Sequence, residues 1–528
     1  MRRLTLFVLL VAYGWAASAA PSPAAWWEGA VFYEVFVRSF QDSDGDGIGD
    51  LPGLIARLDW LNDGDPSTEE DLGVTALWLM PIAESPSYHG YDVTDYVSVE
   101  PDYGTLEDAK LLVREAHRRG LRVIVDLVLN HTSDLHPWFQ ESLIPGSARQ
   151  DWYIWSNSPS LAPGPWGQPV WHRAGLSWYY GLFWSGMPDL NYRTPHVTQA
   201  VFDIARFWLL DVGVDGFRLD AIRHLIETDG TLSNTAATHF WLKGFAAVVK
   251  GWKPDAVLVG EVWDRPEAIV PYLDRELDVA FEFSLAEAVL GGVLSGNGRS
   301  MRSAIDLVLR TYPGERFATF LSNHDQDRTM SRLRGDERRA KLAAAILLTL
   351  PGVPFLYYGE EVGMTGVKPD ERIRTPMPWE PGPGLGFTSA IPWQPFSVDA
   401  ASRTVSDGAR DPDSLYARYR ALIALRKATP ALGYGETALL TASHPGLLAF
   451  SRSFGTTSLF VVHNVTSLSI DLGDLTFAGW SGASSGVAAP GVVFGEAHEP
   501  HWHADDAGSI VVTDAVLPPF STLILSVP

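Results

Sequence analysis

Eight short apolar runs punctuate residues 31–425: Val31–Phe36, Val74–Met80, Leu121–Leu129, Val214–Leu219, Ala256–Val259, Val279–Phe283, Phe317–Leu321 and Val353–Tyr358. Runs of this length suit strands buried on both faces, and longer amphipathic stretches such as Leu106–Arg119, Thr198–Asp211 and Asp336–Leu350 suit the helices between them. Strand and helix in strict alternation predict a parallel sheet. Eight such units predict one closed on itself, a (β/α)8 TIM barrel. In that fold chemistry gathers where the strands end, so polar residues closing the runs come first for inspection.

Two segments break the alternation. Residues 131–190 hold seven of the 20 tryptophans and little regular period, so an inserted subdomain after strand 3 is expected, most of its rings forming its own core. From Tyr434 onward the chain reads as short strands and turns with Arg452 its only Lys or Arg, which predicts a C-terminal antiparallel β-sandwich. The expected organisation is an export segment over 1–20, a barrel from 21–130 and 191–432, the insert at 131–190, and the sandwich at 433–528. Within 1–20, Arg2 and Arg3 precede the apolar stretch Leu4–Val11, and Ala17-Ser-Ala19 offers a cleavage site, so secretion to the periplasm or the outside is expected. The stretch is too short to span a bilayer. An N-terminal anchor or a buried helix is the alternative. The chain has no cysteine, so stability after export must come from packing or metals.

A formal net charge of -23 repels nucleic acid and anionic membrane and leaves a neutral substrate as the better partner. Three acids close three of the runs: Asp220 in Gly216-Phe-Arg-Leu-Asp220, Glu261 in Gly260-Glu-Val-Trp263, and Asp325 in Ser322-Asn-His-Asp325. One such acid alone more often caps a helix or pairs at the surface. Three at one barrel mouth fit the two-carboxyl chemistry of retaining glycoside hydrolysis, with about 5 Å between the attacking and protonating groups. Neighbouring negative charge should keep Glu261 protonated near neutrality. Arg218, two residues before Asp220 and so on the same strand face, should hold that carboxylate ionised.

A loop pattern points to calcium. Asp42, Asp44, Asp46 and Asp50 alternate with small residues, and Ile48 can offer its carbonyl, as hard-cation loops require. Gly53 stands where an EF-hand has its bidentate Glu, so a structural Ca2+ loop on the barrel is expected and a sensor role is not. An Asp/Gly turn without metal is the plainer alternative.

With these residues in hand, the chain resembles the α-amylase family of glycoside hydrolases, family 13, over nearly its whole length after the N-terminal segment. The motifs that carry the likeness are Asp126-Leu-Val-Leu-Asn130-His131, Gly216-Phe-Arg218-Leu-Asp220-Ala-Ile-Arg223-His224, Gly260-Glu261-Val-Trp-Asp264 and Phe320-Leu-Ser-Asn-His324-Asp325. The resemblance implies Asp220 as nucleophile, Glu261 as acid/base and Asp325 as a third carboxylate gripping sugar hydroxyls. It implies His131, His324 and Arg218 as supports, and, through Tyr88-His89-Gly-Tyr91-Asp92, Tyr91 beneath the reacting ring with His89 beside it. Asp92 and Arg223 join the expected substrate-binding set. It also implies a second Ca2+ held by Asn130, Asp189 and the His224 carbonyl.

Within the family, Ala221 after the nucleophile and the Gly-Glu-Val-Trp-Asp string resemble amylases acting on long α-1,4 chains. Met187-Pro-Asp-Leu-Asn191 looks intermediate with α-1,6-acting and neopullulanase-like members. The expectation is a monomeric secreted α-amylase taking starch and maltooligosaccharides. An α-glucosidase or a cyclomaltodextrinase/neopullulanase-type hydrolase with transfer activity stands as runner-up. A non-catalytic barrel subunit would have lost the acids kept here.

Overall fold

The computed structural model describes residues 25–472 apart from 69, 161 and 229, and beyond them 476–478, 491–495, 501–504, 510–513 and 516–527. The expected export segment lies outside the described residues. All eight apolar runs contain strands: β1 (Phe32–Val35), β2 (Ala76–Leu79), β3 (Arg122–Val128), β4 (Gly216–Asp220), β5 (Val257–Gly260), β6 (Val279–Phe281), β7 (Phe317–Thr319) and β8 (Val353–Tyr357). They pair in parallel in chain order and close through β1 against β8, giving the TIM barrel.

Alternation along each strand decides what fills the barrel. Phe32, Ala76, Ile124, Val257, Val259, Val279, Phe281, Ala318, Val353 and Phe355 form one buried cluster, with Trp78 and Phe320 in it. The intervening residues, such as Tyr33, Val35, Leu77, Val123 and Phe217, join the larger core beneath the helices. Two-residue spacing then puts Glu34 on the face of Phe32, Asp126 on that of Ile124, and Arg218 and Asp220 on that of Gly216. In register, Asp126 lies opposite Arg218 and Val128 opposite Asp220. Gly216 is required where β4 meets β5: its φ is +153°, and a Cβ there would sit 2.1 Å from the Val257 carbonyl oxygen.

The sixth run behaves differently from its neighbours. Its strand stops at Phe281, and Glu282 caps the helix Phe283–Ser295 by accepting from the Ser284 and Leu285 amides. Between β3 and β4 the strands Trp155–Ser156, Trp171–Ala174 and Ser177–Tyr180 make a small antiparallel sheet. Phe139, Tyr153, Trp155 and Tyr179 pack ring on ring beside it. None of the seven tryptophans of this segment is fully buried, and Trp166 and Trp184 are exposed.

The C-terminal strands are antiparallel. Glu436–Ala442, Leu447–Phe454, Thr457–Asn464 and Ser521–Val527 pair consecutively, and Glu436–Ala442 also pairs at its far end with Thr476–Ala478, so eight strands run in one hydrogen-bonded order. A further two-stranded ribbon, Ile470–Asp471 with Val516–Leu517, helps enclose a core of Leu440, Phe460, Val462 and Leu523.

Candidate active site

The carboxylates meet at the strand ends. Asp220 ends β4, Glu261 follows β5 by one residue, and Asp325 stands in the loop after β7. Arg218 is buried and organises two of them: Nη1 donates to Asp220 Oδ1 at 2.6 Å and Nη2 to Glu261 Oε2 at 2.6 Å. Nη1 also reaches both oxygens of Asp126, at 2.9 and 3.0 Å, as the register of β3 and β4 dictates. One planar guanidinium thus sets the spacing between Asp220 and Glu261. The Ala221 amide adds a donor to Glu261 Oε2 at 3.2 Å, from a residue at φ +44°.

Asp325 is held from the other side. Arg374 Nη2 donates to its Oδ1 at 2.9 Å, and His324 Nε2 lies 3.3 Å from Oδ2. His324 is fixed by its second nitrogen, Nδ1, which lies 2.5 Å from Glu34 Oε1. The Tyr91 hydroxyl is 2.7 Å from His324 Nε2 and donates to Asp126 Oδ2 at 3.0 Å, and the two rings stack with centroids 5.5 Å apart. His131 Nε2 bonds the Tyr91 carbonyl at 3.1 Å, while its Nδ1 is buried without a protein partner. His89 Nδ1 accepts from the Tyr91 amide at 3.1 Å and lies 3.7 Å from Asp92 Oδ1. Asp92 accepts from Ser85 Oγ at 2.8 Å and from the Ser87 hydroxyl.

Electrostatics separate the acids. Burial pushes Glu261 up to about 7; Arg218 pulls it down, and Asp220 and Asp325 add to the rise. Desolvation therefore leads, with neighbouring charge second. Asp220 is also raised, to about 6, because burial and the Asp126 charge outweigh its contact with Arg218. The expected depression by Arg218 is present as a pull but does not win, since that single charge is shared among three carboxylates. Burial also works against ionisation of Asp325, yet His324, Arg374, Arg218 and Lys368 overcome it and hold the group at about 2. His131 is lowered to about 4 and His324 to about 3, chiefly by burial, so both rings are neutral near pH 7.

Arg223 is not brought into this cluster. It donates to the Trp263 carbonyl, to Ser233 Oγ at 3.2 Å, and pairs with Asp264 at 3.0 Å. It meets the loop after β5, two and three residues beyond Glu261, and not the three carboxylates of the cluster.

Of the loop after β1, Asp42, Asp44 and Asp50 bring one carboxylate oxygen each within 4.8 Å of one another. Asp46 falls outside that group and accepts from the Ile48 amide at 2.7 Å. Asp42 is tied down by the Gly45 and Gly47 amides at 2.6 and 2.9 Å and by Thr388, and Asp50 by the Ser43 and Gly53 amides at 2.8 and 2.6 Å. At the other expected metal position, Asn130 Nδ2 donates to Asp189 Oδ2 at 3.0 Å, leaving Asn130 Oδ1 buried without a partner. Glu227 is buried beside the Tyr180 hydroxyl, and the Glu227 charge, after burial itself, drives Asp189 well above the usual carboxylate range. His224 Nδ1 bonds the Leu232 carbonyl at 2.6 Å. A buried amide oxygen without a donor, beside two buried carboxyl groups, is what a hard cation satisfies.

Sequence reasoning missed Glu34, Arg374 and Glu227 and took Asp126 only as a motif letter. Inward alternation on β1 could have flagged Glu34. Nothing local marks Arg374 or Glu227, which come from loops after β8 and β4.

A parallel barrel with two carboxylates on one guanidinium at its rim, and a third facing them, defines a glycosidase-type centre. The family model for the α-amylase catalytic domain matches residues 34–435. The chain is 39% identical to alpha-amylase 3 of Dictyoglomus thermophilum over 84% of its own length and 86% of that protein. It is 35% identical to a probable alpha-glucosidase of Rhizobium meliloti, covering 84% of this chain and 89% of the relative. The crystal structure of an alpha-amylase from H.orenii superposes with a TM-score of 0.84 at 40% identity, over 95% of this chain and all of that one. The chain belongs to the α-amylase family of glycoside hydrolases, family 13.

Proposed function

We propose that this glycoside hydrolase is a secreted α-amylase that cuts internal α-1,4-glucosidic bonds of starch-like glucans with retention. The observation that carries the reading is the sharing of Arg218 by Asp220 and Glu261, and burial raises both acids, Asp220 to about 6 and Glu261 to about 7. Glu261 is the weaker acid of the two, so Asp220 ionises first while Glu261 keeps its proton. Asp220 then attacks the anomeric carbon as Glu261 protonates the departing glycosidic oxygen, leaving a glycosyl ester on Asp220. Glu261, now a carboxylate, takes a proton from water. That water attacks the same carbon and frees Asp220. Asp325, ionised throughout, accepts sugar hydroxyls, and Tyr91, His89 and His131 enclose the ring. Neutral His324 steers Asp325 without carrying a proton in the cycle.

Asp42, Asp44 and Asp50 would hold one Ca2+, and Asn130, Asp189 and Glu227, with the His224 carbonyl, a second. Such an ion would supply charge neutralisation and loop rigidity. Export rests on residues 1–20.

Asp220→Asn should lower starch hydrolysis by at least about 10⁴-fold, and 1H NMR should show the α anomer released first. A β anomer as first product, or an active Asp220→Asn protein, overturns the mechanism. The motif Met187-Pro-Asp-Leu-Asn191 and the α-glucosidase relative favour a second reading, an exo-acting or cyclodextrin-cleaving hydrolase with transfer activity. Rapid loss of iodine staining supports internal cutting; glucose as sole early product supports the alternative.

A further inference from the structure

We propose that Glu34 is a positioning residue that, as a carboxylic acid, fixes the tautomer of His324 so that Nε2–H faces Asp325. This rests on the reading of Asp325 as the carboxylate that accepts sugar hydroxyls. Glu34 on β1 and His324 in the loop after β7 are both fully buried, and Glu34 Oε1 stands 2.5 Å from His324 Nδ1. A contact that short needs a proton between the two atoms, because facing lone pairs repel. Two arrangements supply one. Either Nδ1–H donates to a Glu34 carboxylate, or a Glu34 carboxylic acid donates to a bare Nδ1.

The other edge of the ring decides between them. The imidazole packs edge-on against Trp78, with centroids 5.6 Å apart, and stacks on Tyr91. Its backbone carbonyl accepts from Arg374 Nε at 2.8 Å. The ring therefore keeps its place, and only its proton can move. Burial holds the imidazole neutral near pH 7, so that proton is a single one. Tyr91 has one hydroxyl proton and gives it to Asp126 Oδ2 at 3.0 Å. His324 Nε2 lies 2.7 Å from the same hydroxyl oxygen and 3.3 Å from Asp325 Oδ2, so it faces two acceptors and must donate. A bare Nε2 would aim its lone pair at the Asp325 carboxylate and draw the Tyr91 proton away from Asp126. With the ring proton on Nε2, Nδ1 is bare and the short contact requires Glu34 to donate. The surrounding charge agrees. Burial pushes Glu34 well above the usual carboxylate range, and Asp325 and Asp126 add to the rise against the pull of Arg218. Donation thus runs from Glu34 to His324 to Asp325, and separately from Tyr91 to Asp126.

Ring-15N NMR of histidine-labelled protein near neutral pH reads the tautomer without any substrate, with the His324 signals assigned by their loss in His324→Gln. The parent should carry hydrogen on Nε2 and none on Nδ1. Glu34→Leu leaves Nδ1 without a donor, so kcat on maltohexaose should fall about 10–100-fold, the scale of one buried acceptor left unsatisfied. Glu34→Gln offers an amide donor that cannot ionise, so it should keep the parent's ring signals and restore most of that loss. Hydrogen on Nδ1 in the parent, or a Glu34→Gln protein as impaired as Glu34→Leu, overturns the assignment. Should Glu34→Leu not fold, the ring signals of the parent and of Glu34→Gln decide alone. If the parent hydrolyses no α-glucan, the glycosidase reading falls, and the same signals still decide the role of Glu34.

Discussion

Arg218 meets Asp126, Asp220 and Glu261 with one positive charge, too little to offset the burial that raises Asp220 and Glu261. Were each acid given its own cation, all would ionise at neutral pH and none could donate. With one cation shared in a buried pocket, Glu261 holds its proton to about 7 and Asp220 to about 6. The activity profile should therefore be a narrow bell. Below about 6 it falls because Asp220 gains a proton and loses nucleophilicity. Above about 7 it falls because Glu261 loses the proton it must give. Initial rates from pH 4 to 9 check both limbs. Removing the Asp325 charge in Asp325→Asn should move the alkaline limb downward, since that charge helps raise Glu261. Arg218→Lys keeps the charge but not the fork, so kcat should drop by about two orders of magnitude. A KM effect alone would speak against the shared-fork account.

At the scale of elements, β4 carries the most consequence. Its alternation delivers Gly216, Arg218 and Asp220 to one face, and Gly216 lets β4 approach β5 where a side chain would meet the Val257 carbonyl. Gly216→Ala should cost about 1–3 kcal/mol, read by urea denaturation, and should lower kcat as well by displacing Arg218. The strands themselves were legible because burial on both faces writes continuous apolar runs into the sequence. The end of the sixth run was less so. Phe283 is as apolar as Phe281, but Glu282 turns the chain into a helix by accepting two amides, a cap that hydrophobicity cannot register. The insert was legible as a break in period, whereas the half-burial of its tryptophans reflects a segment too small to enclose large rings.

Across the whole molecule, one buried arginine ties the helix Leu415–Ala428 to the barrel, and a second ties a C-terminal strand to the short helix Pro430–Tyr434 that precedes it. Arg426 donates to the Leu348, Leu350 and Gly352 carbonyls ahead of β8, and Arg452 to those of Ala431 and Leu432. Arg452→Ala removes those donors and should destabilise by about 1–3 kcal/mol, with kcat of the folded protein unchanged; a calorimetric scan beside an assay tests both halves. A chelator should lower Tm further, because an ion bound only by the folded chain stabilises it by mass action. An unchanged Tm in excess chelator, after incubation long enough to strip tight sites, counts against the calcium reading. Asp50→Ala should give the same fall without chelator if the loop after β1 is one of those sites.

What the sequence determined by itself was the sheet and the placement of three acids at its strand ends, because strand burial and strand-end motifs are both local, written within five to ten consecutive residues. Only the tertiary structure decided how those acids differ. Their proton affinities depend on burial and on charges contributed by β3, β4 and the loop after β8, through Asp126, Arg218 and Arg374. It also decided that Arg223 clamps a loop and that Glu227 joins Asn130 and Asp189. Electrostatic energy depends on distance through space, and a barrel brings together at a few ångströms residues that the chain keeps hundreds of positions apart.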